Sequence, residues 1–396
     1  MKEIIINKQE NKKQILLIED GNLVEKYNED ENINRIEGNI YVGKVENVLQ
    51  GMQSAFVNIG QEKNTFIHLK DILPRENVVE GERKYNKEDI KDITRVGQPI
   101  LVQVKRDFTN SKGAKVSTHI NLNSRYIVLL PNTTIVTTSL KIEDEKEKER
   151  LTNIVKKYLP ENCGAIVRTS AENQKEEVIK KDIEVTLNKW QDIEKLYNEK
   201  LKNNNYPRVV YKTHGVLKRL LLDLIDRKLE KITVNDKEEY EYVQKLLEQF
   251  EEKIELVVKE NQDIIGDSSN LSKQLEKSEK RKVWLKCGGF IAIDKTEALT
   301  AIDVNSGKYI GKDNVESTIF KVNKEASIEI ARQLRLRDIG GIVIIDYIDM
   351  NDEENKEKIL EILNEELKKD RSKTQVVGFS KLNLLEMTRK HVCSNN

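Results

Sequence analysis

Two carboxylates, each closing a short β-branched run, are the residues of this chain best placed by type and spacing to do chemistry. Asp303 sits in Ala301-Ile302-Asp303-Val304-Asn305-Ser306, and Asp346 follows Ile342-Val343-Ile344-Ile345 and precedes Tyr347-Ile348-Asp349. A strand of this kind does not normally finish on a carboxylate unless the carboxylate has something to hold. With the amide of Asn305 two residues beyond the first, the set is all oxygen and suits a hard divalent cation. Magnesium is the natural choice, because it keeps several waters and takes only one or two protein carboxylates. Either Asp alone also reads as a turn former or helix N-cap. It is the pair that points to a metal.

Something must bring the two together, and the intervening segment can. Val315, Ile319, Val322, Ala326, Ile330 and Leu334 recur at three- and four-residue intervals, which predicts a helix with one apolar stripe. Asp313 with Glu316 reads as a variant capping box, and Gly340-Gly341 after Arg335, Arg337 and Asp338 reads as a stop. Strand, helix and strand make a right-handed crossover with the strands parallel and close. Asp303 and Asp346 then project from one carboxyl edge of the sheet.

These residues also carry a resemblance. Gly288-Gly289-Phe290, Asp294 to Asn305, and the run from Glu329 through Arg335-Leu336-Arg337-Asp338-Ile339-Gly340-Gly341 to Asp346-Tyr347-Ile348-Asp349-Met350 resemble the catalytic region of the ribonuclease E/G family. The resemblance implies an endoribonuclease with one magnesium ion per active site, held by Asp303 and Asp346 with Asn305 assisting. It also implies attack of water on a phosphodiester to leave a 5′-phosphate.

Composition bounds this reading without naming it. At 396 residues the chain exceeds what one core organises, so about two to four domains are expected. Charged residues make up 34%, yet 68 Lys and Arg balance 68 Asp and Glu, which argues against a uniformly basic coat and leaves local basic patches open. Cys163, Cys287 and Cys393 offer no Cys-x-x-Cys pair, and His68, His119, His214 and His391 are isolated, so a zinc site within the chain is not expected. The run Met1 to Asn7 is too short for a signal peptide, and no stretch approaches the roughly 20 apolar residues of a membrane span. The expectation is a cytoplasmic protein.

Along the chain, Glu3 to Asn7 and Gln14 to Ile18 predict two short strands. Strand patterns at Ile40 to Val45, Ala55 to Ile59, Thr65 to Leu69 and Ile100 to Val104, separated by glycine-containing turns, predict a small barrel. The charged stretch Glu76 to Lys91 reads as a solvated insert. A second unit follows with strands at Tyr126 to Leu130, Thr134 to Val136 and Gly164 to Val167, and charged helices at Glu143 to Lys157 and Glu172 to Lys202. Val216 to Lys228, Lys231 to Val234 and Glu238 to Glu252 read as helix, strand and helix that need a sheet to pack on, which the first strands could supply. The resulting class is an α/β and α+β multidomain protein. Family likeness assigns 1–37 and 208–279 to a discontinuous ribonuclease H-like subdomain, 38–121 to an RNA-binding OB-fold, 122–207 to a 5′-sensor region and 280–396 to a DNase I-like catalytic subdomain.

Phe56 and Phe66 lie in barrel patterns where an exposed ring would stack a base, worth about 1 to 3 kcal/mol; the plainer reading puts both in the core. Lys105, Arg106, Lys112 and Lys115 follow around Gly113, where a loop could bring cations to phosphates. The resemblance selects Phe56, Phe66 and Lys112 as RNA contacts. Arg168-Thr169 stands between a strand and a helix, a place where backbone N–H groups and an Arg can hold a phosphate, and Thr169 with Glu172 also reads as a capping box. In the family this position senses a 5′-monophosphate, through Arg168 and Thr169 with Val128 nearby. The basic groups Lys277, Lys280, Arg281, Lys282 and Lys286, and Arg332, Arg335 and Arg337, read first as charged helix faces.

The chain departs from the family pattern in places. Many members carry a Cys-x-x-Cys zinc link after the equivalent of Leu384 to Arg389, and this chain has none, so a homodimer is possible but its zinc-linked form is not expected. Asn383 replaces a common glycine, and Cys287 replaces a small hydroxyl residue. The shorter ribonuclease G type of the family is the better likeness. The implied partner is single-stranded, A/U-rich RNA, in ribosomal RNA processing and messenger decay. The rival readings are a non-catalytic RNA-binding or ribosome-assembly protein, and a metal-dependent DNA nuclease.

Overall fold

The structure is a computed structural model that describes residues 1–30, 35–74, 89–108, 113–213, 215–224, 229–250, 253–307 and 315–391, without the side chains of 216, 249 and 250. Two compact units divide it, one from Met1–Ile33 with Arg227–Asn395, the other from Asn34–Asp226. Strands β1 (Lys2–Gln9), β2 (Lys12–Glu19) and β3 (Asn22–Asp30) begin the first unit as an antiparallel meander. The third of these is absent from the sequence reading. Its inward side includes the charged Glu25, so it lacks an apolar-in, polar-out signal.

The second unit opens with the barrel strands β4 (Ile40–Leu49), β5 (Ser54–Asn58) and β6 (Thr65–His68), the short helix α1 (Ile90–Ile93), then β7 (Pro99–Arg106) and β8 (Lys115–Ser117). Strands run β4-β5-β6-β8-β7, and the β4–β7 pairing closes the ring, which makes a five-stranded OB-like barrel. Closure removes the free sheet edges that would otherwise template aggregation. Its core is Val45, Ala55, Val57, Ile67, Val102 and Val116 with their neighbours.

Next come β9 (Leu122–Asn123), β10 (Ile127–Pro131), β11 (Val136–Thr138), α2 (Glu145–Tyr158), β12 (Cys163–Val167), α3 (Glu176–Lys202), β13 (Arg208–Tyr211) and α4 (Val216–Leu224). Four of these strands form a sheet in the order β11-β12-β10-β9. Gly164 lies so close to β11 that an added Cβ would meet the Ile135 carbonyl oxygen at 2.1 Å. Residues 208–224, grouped by the sequence reading with the first strands, fall in this unit, because β13 pairs with β4 of the barrel.

The first unit resumes with β14 (Leu229–Val234), α5 (Lys237–Phe250), β15 (Glu255–Val258) and α6 (Ser269–Glu279). Strand β14 adds in parallel to β1, completing a sheet ordered β15-β14-β1-β2-β3, as the expectation that the first strands supply a sheet requires. A second sheet follows from β16 (Lys282–Trp284), β17 (Phe290–Lys295), β18 (Leu299–Asn305), α7 (Val315–Leu336), β19 (Gly341–Asp346), α8 (Glu353–Lys368), β20 (Thr374–Phe379) and β21 (Leu384–Arg389), ordered β16-β17-β18-β19-β21-β20. The crossover β18–α7–β19 is as expected, with the two strands parallel.

Helix α7 buries Val322, Ala326, Ile330 and Leu334 against this sheet, while Val315 is exposed, so the apolar stripe starts a turn later than its spacing suggests. Asp313, the proposed cap, lies outside the described residues. The helix stops earlier than Gly340: Asp338 takes the left-handed conformation (φ 44), Ile339 N–H donates to the Leu334 carbonyl at 3.0 Å, and Asp338 N–H donates to Arg335 at 3.2 Å. That is a Schellman motif with Asp in the place usually taken by Gly. The Asp is retained because its carboxylate accepts from buried Arg389 at 2.8 Å.

On its other side α7 is tied to β2 and β3. Arg335 reaches Glu19 and the fully enclosed Glu25, and Arg371 also pairs with Glu25. Burial alone would raise the Glu25 carboxyl, but the Arg371 and Arg335 guanidiniums reverse this and hold it at about 2. Depressed below its unfolded value of 4.5, the group contributes stability that is present above pH 4.5 and is lost as pH falls towards 2. The shift corresponds to about 3 kcal/mol. The stability gap between native protein and Glu25→Gln, measured by urea unfolding, should therefore be wide at pH 7 and narrow between pH 5 and pH 3.

Candidate active site

Strand parity puts the two carboxylates on one face. In β18 the even positions Thr300, Ile302 and Val304 are buried and the odd positions Ala301 and Asp303 are exposed; in β19 Val343 and Ile345 are buried and Asp346 is exposed. Asp303 and Asp346 are direct register partners across the parallel ladder, so their Cα atoms are one strand spacing apart, about 4.8 Å. The buried face of the sheet is filled by α7 and α8, which leaves the acidic face open.

Neighbouring groups set the orientation. Asn305 Nδ2 donates to Asp303 Oδ2 at 2.7 Å. Gly289 lets β17 come close at this point, since a Cβ there would meet the Asn305 carbonyl oxygen at 2.8 Å. Beyond Asp346, Asn323 of α7 grips the backbone of Ile348 twice, donating to its carbonyl at 2.8 Å and accepting from its N–H at 3.1 Å. Ser327 and the Tyr347 hydroxyl meet at 2.7 Å in the core. The segment Asp346 to Asp349 is thus held by buried polar contacts that sequence periodicity does not reveal.

Partial burial, then the nearby Asp303 and Asp349 charges, push the Asp346 carboxyl above its usual range. That mutual repulsion is what a bound cation relieves. The donor set therefore fits a hard divalent ion held by two carboxylates with its remaining positions open to water and phosphate. Asp349, outside the expected site, joins the acidic surface, and Asn383 Nδ2 donates to it at 3.5 Å. The spacing Asp346-x-x-Asp349 is the signal that could have found it. Among the described residues no three His, Cys, Asp or Glu groups converge tightly enough to hold an ion by themselves.

The other expected site residues lie in the barrel unit. Phe56 and Phe66 are cross-strand partners, half-buried, with ring centroids 6.2 Å apart in an edge-to-face pair. Their neighbours Ala55, Val57, Thr65 and Ile67 are buried, so both rings stand on the outer face of the barrel and not in its core. Lys112 lies outside the described residues. Lys105 is held by Gln103 and the His119 carbonyl, and Lys115 pairs with Asp71 at 2.9 Å, so both serve the fold.

Arg168 follows β12, and its guanidinium pairs with Asp223 while donating to the Ser124 carbonyl at 2.7 Å. The expected capping box at Thr169 is not formed: the Thr169 hydroxyl donates to Ser139 Oγ at 3.2 Å, and α3 begins only at Glu176. A short 3-10 turn over Thr169–Ala171 intervenes, which moves the positive end of α3 away from Arg168. Val128 pairs with Ile166 in the same sheet. Of the basic groups around this sheet, Arg332, Arg335 and Arg337 are all spent on internal contacts, and Arg335 is buried against Glu19 and Glu25, unlike the charged helix face expected of it.

An OB-like barrel in one unit and a sheet with an open carboxylate pair in the other define a mixed α/β multidomain protein. The ribonuclease E/G family model matches residues 121–392. Ribonuclease G of Escherichia coli (strain K12) is 39% identical over 397 residues, covering 98% of this chain and 79% of that protein. Ribonuclease G of Haemophilus influenzae is 39% identical with the same coverage, and ribonuclease E of a Nostoc species is 34% identical over 90% of this chain and 52% of that protein. This chain belongs to the ribonuclease E/G family. No helix among its described residues is long and apolar enough to cross a membrane.

Proposed function

We propose that this protein is a cytoplasmic, magnesium-dependent endoribonuclease that cuts single-stranded, A/U-rich RNA, prefers 5′-monophosphorylated ends, leaves 5′-phosphate products, and acts in ribosomal RNA processing and messenger decay. The observation that carries this reading is the side-by-side, outward placement of Asp303 and Asp346 in a chain of this family. Asp303 and Asp346 would hold one magnesium ion, and Asn305 keeps the Asp303 carboxylate turned to its place. Bound there, magnesium supplies Lewis-acid chemistry to a phosphodiester. The first sheet with its helices is the ribonuclease H-like subdomain of this reading, and the carboxylate-bearing sheet with α7 and α8 the DNase I-like one.

In the barrel, Phe56 and Phe66 are the stacking surface for bases, and Lys112 is a phosphate contact. Phe66→Ala should weaken binding of single-stranded RNA by about 1 to 3 kcal/mol while leaving the barrel folded, because the ring is on its outer face. Arg168, Thr169 and Val128 form the 5′-end pocket, with Asp223 occupying the cation until a terminal phosphate replaces it.

The test is cleavage of one A/U-rich oligonucleotide bearing either one or three 5′-phosphates, with magnesium and with EDTA. Cutting only with magnesium, faster for the monophosphate, is the expected outcome. Binding without any cutting would favour the non-catalytic RNA-binding alternative, and equal cutting of the matching DNA would favour a general nuclease.

A further inference from the structure

At the β16 edge of the catalytic sheet, Trp284 stands 58% exposed, far more open than a ring of its size normally remains. It is the register partner of Phe290, with ring centroids 5.4 Å apart, and Lys282 Nζ lies 4.3 Å from the Trp284 centroid and 3.4 Å from that of Phe290. The register places this group with respect to the carboxylates. Lys282 pairs with Ala292, Ala292 with Asp303, and Asp303 with Asp346, while Trp284 pairs with Phe290 and Phe290 with Asn305. Residues directly opposite on a ladder share a face, so two aromatic rings, a lysine and the acidic pair stand on one open surface. From Trp284 to the strand of Asp303 is two strand spacings, about 10 Å.

We infer that Trp284, Phe290 and Lys282 form a stacking shelf for a nucleobase of single-stranded RNA, a nucleotide or two away from the phosphate held at Asp303 and Asp346. This rests on the nuclease reading above and adds a specificity-determining contact to it. The chemistry favours a nucleotide as occupant. Aromatic faces stack any base, and a cation beside them suits the phosphate that comes with it, whereas an apolar protein patch would leave that lysine unpaired. The neighbouring Arg281 is already bound to both oxygens of Asp294, which leaves Lys282 as the cation of the shelf.

The test uses the intact protein and a single strand fully 2′-O-methylated to resist cutting, with magnesium present. Trp190 is buried, so emission lost on going from native protein to Trp284→Phe reports the shelf. That emission should fall when the RNA is added. In parallel, cleavable RNA is scanned with one abasic residue at each position in turn. One position should cost native protein about tenfold in kcat/KM and cost Trp284→Ala nothing further; Trp284→Phe should restore the native profile.

Emission that ignores RNA, or an abasic profile shared by native protein and Trp284→Ala, overturns the shelf. Lower solution mass in Trp284→Ala with an unaltered profile overturns it in favour of a contact between copies. The two readings fail separately. Normal cutting with silent emission removes the shelf and spares the nuclease, while absent cutting with responsive emission does the reverse.

Discussion

Asp346→Asn should fold as the native protein does and lose at least about a thousandfold in RNA cleavage rate, equivalent to roughly 4 kcal/mol of transition-state stabilisation. The side chain is exposed at the end of β19, so the isosteric amide disturbs no packing. It removes a charge from a pair whose repulsion now raises the Asp346 carboxyl, and with it the reason for a cation to sit there. Asp303→Asn should cost as much, with the added loss of a charged acceptor for Asn305. Asn305→Ala should cost less, because its amide orients the Asp303 carboxylate and carries no charge itself. Unchanged circular dichroism alongside lost cleavage would assign the effect to chemistry and not to folding.

Arg389→Met should be the most destabilising single change in the sheet that carries Asp303 and Asp346. The Arg389 side chain is 1% exposed, donates through Nη1 to Asp338 at 2.8 Å and through Nε to Asp370 at 2.7 Å, and both carboxylates are equally enclosed. Replacing it removes the guanidinium that pairs with two buried carboxylates, which costs about 3 to 5 kcal/mol. The damage would reach the site, because β21 pairs with β19 along its whole length and Asp338 also caps α7. Arg281→Met, whose partner Asp294 is on the open surface, should lose little stability by comparison. Urea unfolding of the two variants side by side measures the contrast. Equal losses would mean that the enclosed network does not hold the sheet.

What could be read in the residues, and what could not, follows from range. The crossover that joins Asp303 to Asp346 was legible because its signals are local: two apolar runs and a helical period between them. The outward placement of Phe56 and Phe66 rests in the sequence on the barrel-like patterns around them, against the plainer expectation of two core rings; the buried Ala55, Val57, Thr65 and Ile67 beside them decide it. Strand β3 was not legible, since Glu25 faces inward and its charge is balanced by Arg335 and Arg371, more than 300 residues away. The stop at Asp338 was missed for the same reason, its Arg389 partner lying far along the chain. The position of Arg168 between a strand and a helix is readable locally, but its engagement by Asp223 comes from a helix that no local pattern connects to it. Trp284 and Lys282 lie in a three-residue strand, too short for alternation to declare which way a side chain points.

One divalent cation should sit between the two carboxylates on neighbouring parallel strands, beside an RNA phosphate. Manganese can stand in for magnesium as a spectroscopic probe, and its bound count per chain can be taken with cleavage-resistant single-stranded RNA present. The account predicts one tightly held ion in the native protein and none in Asp303→Ala or Asp346→Ala. An ion count that both substitutions leave unchanged would contradict it.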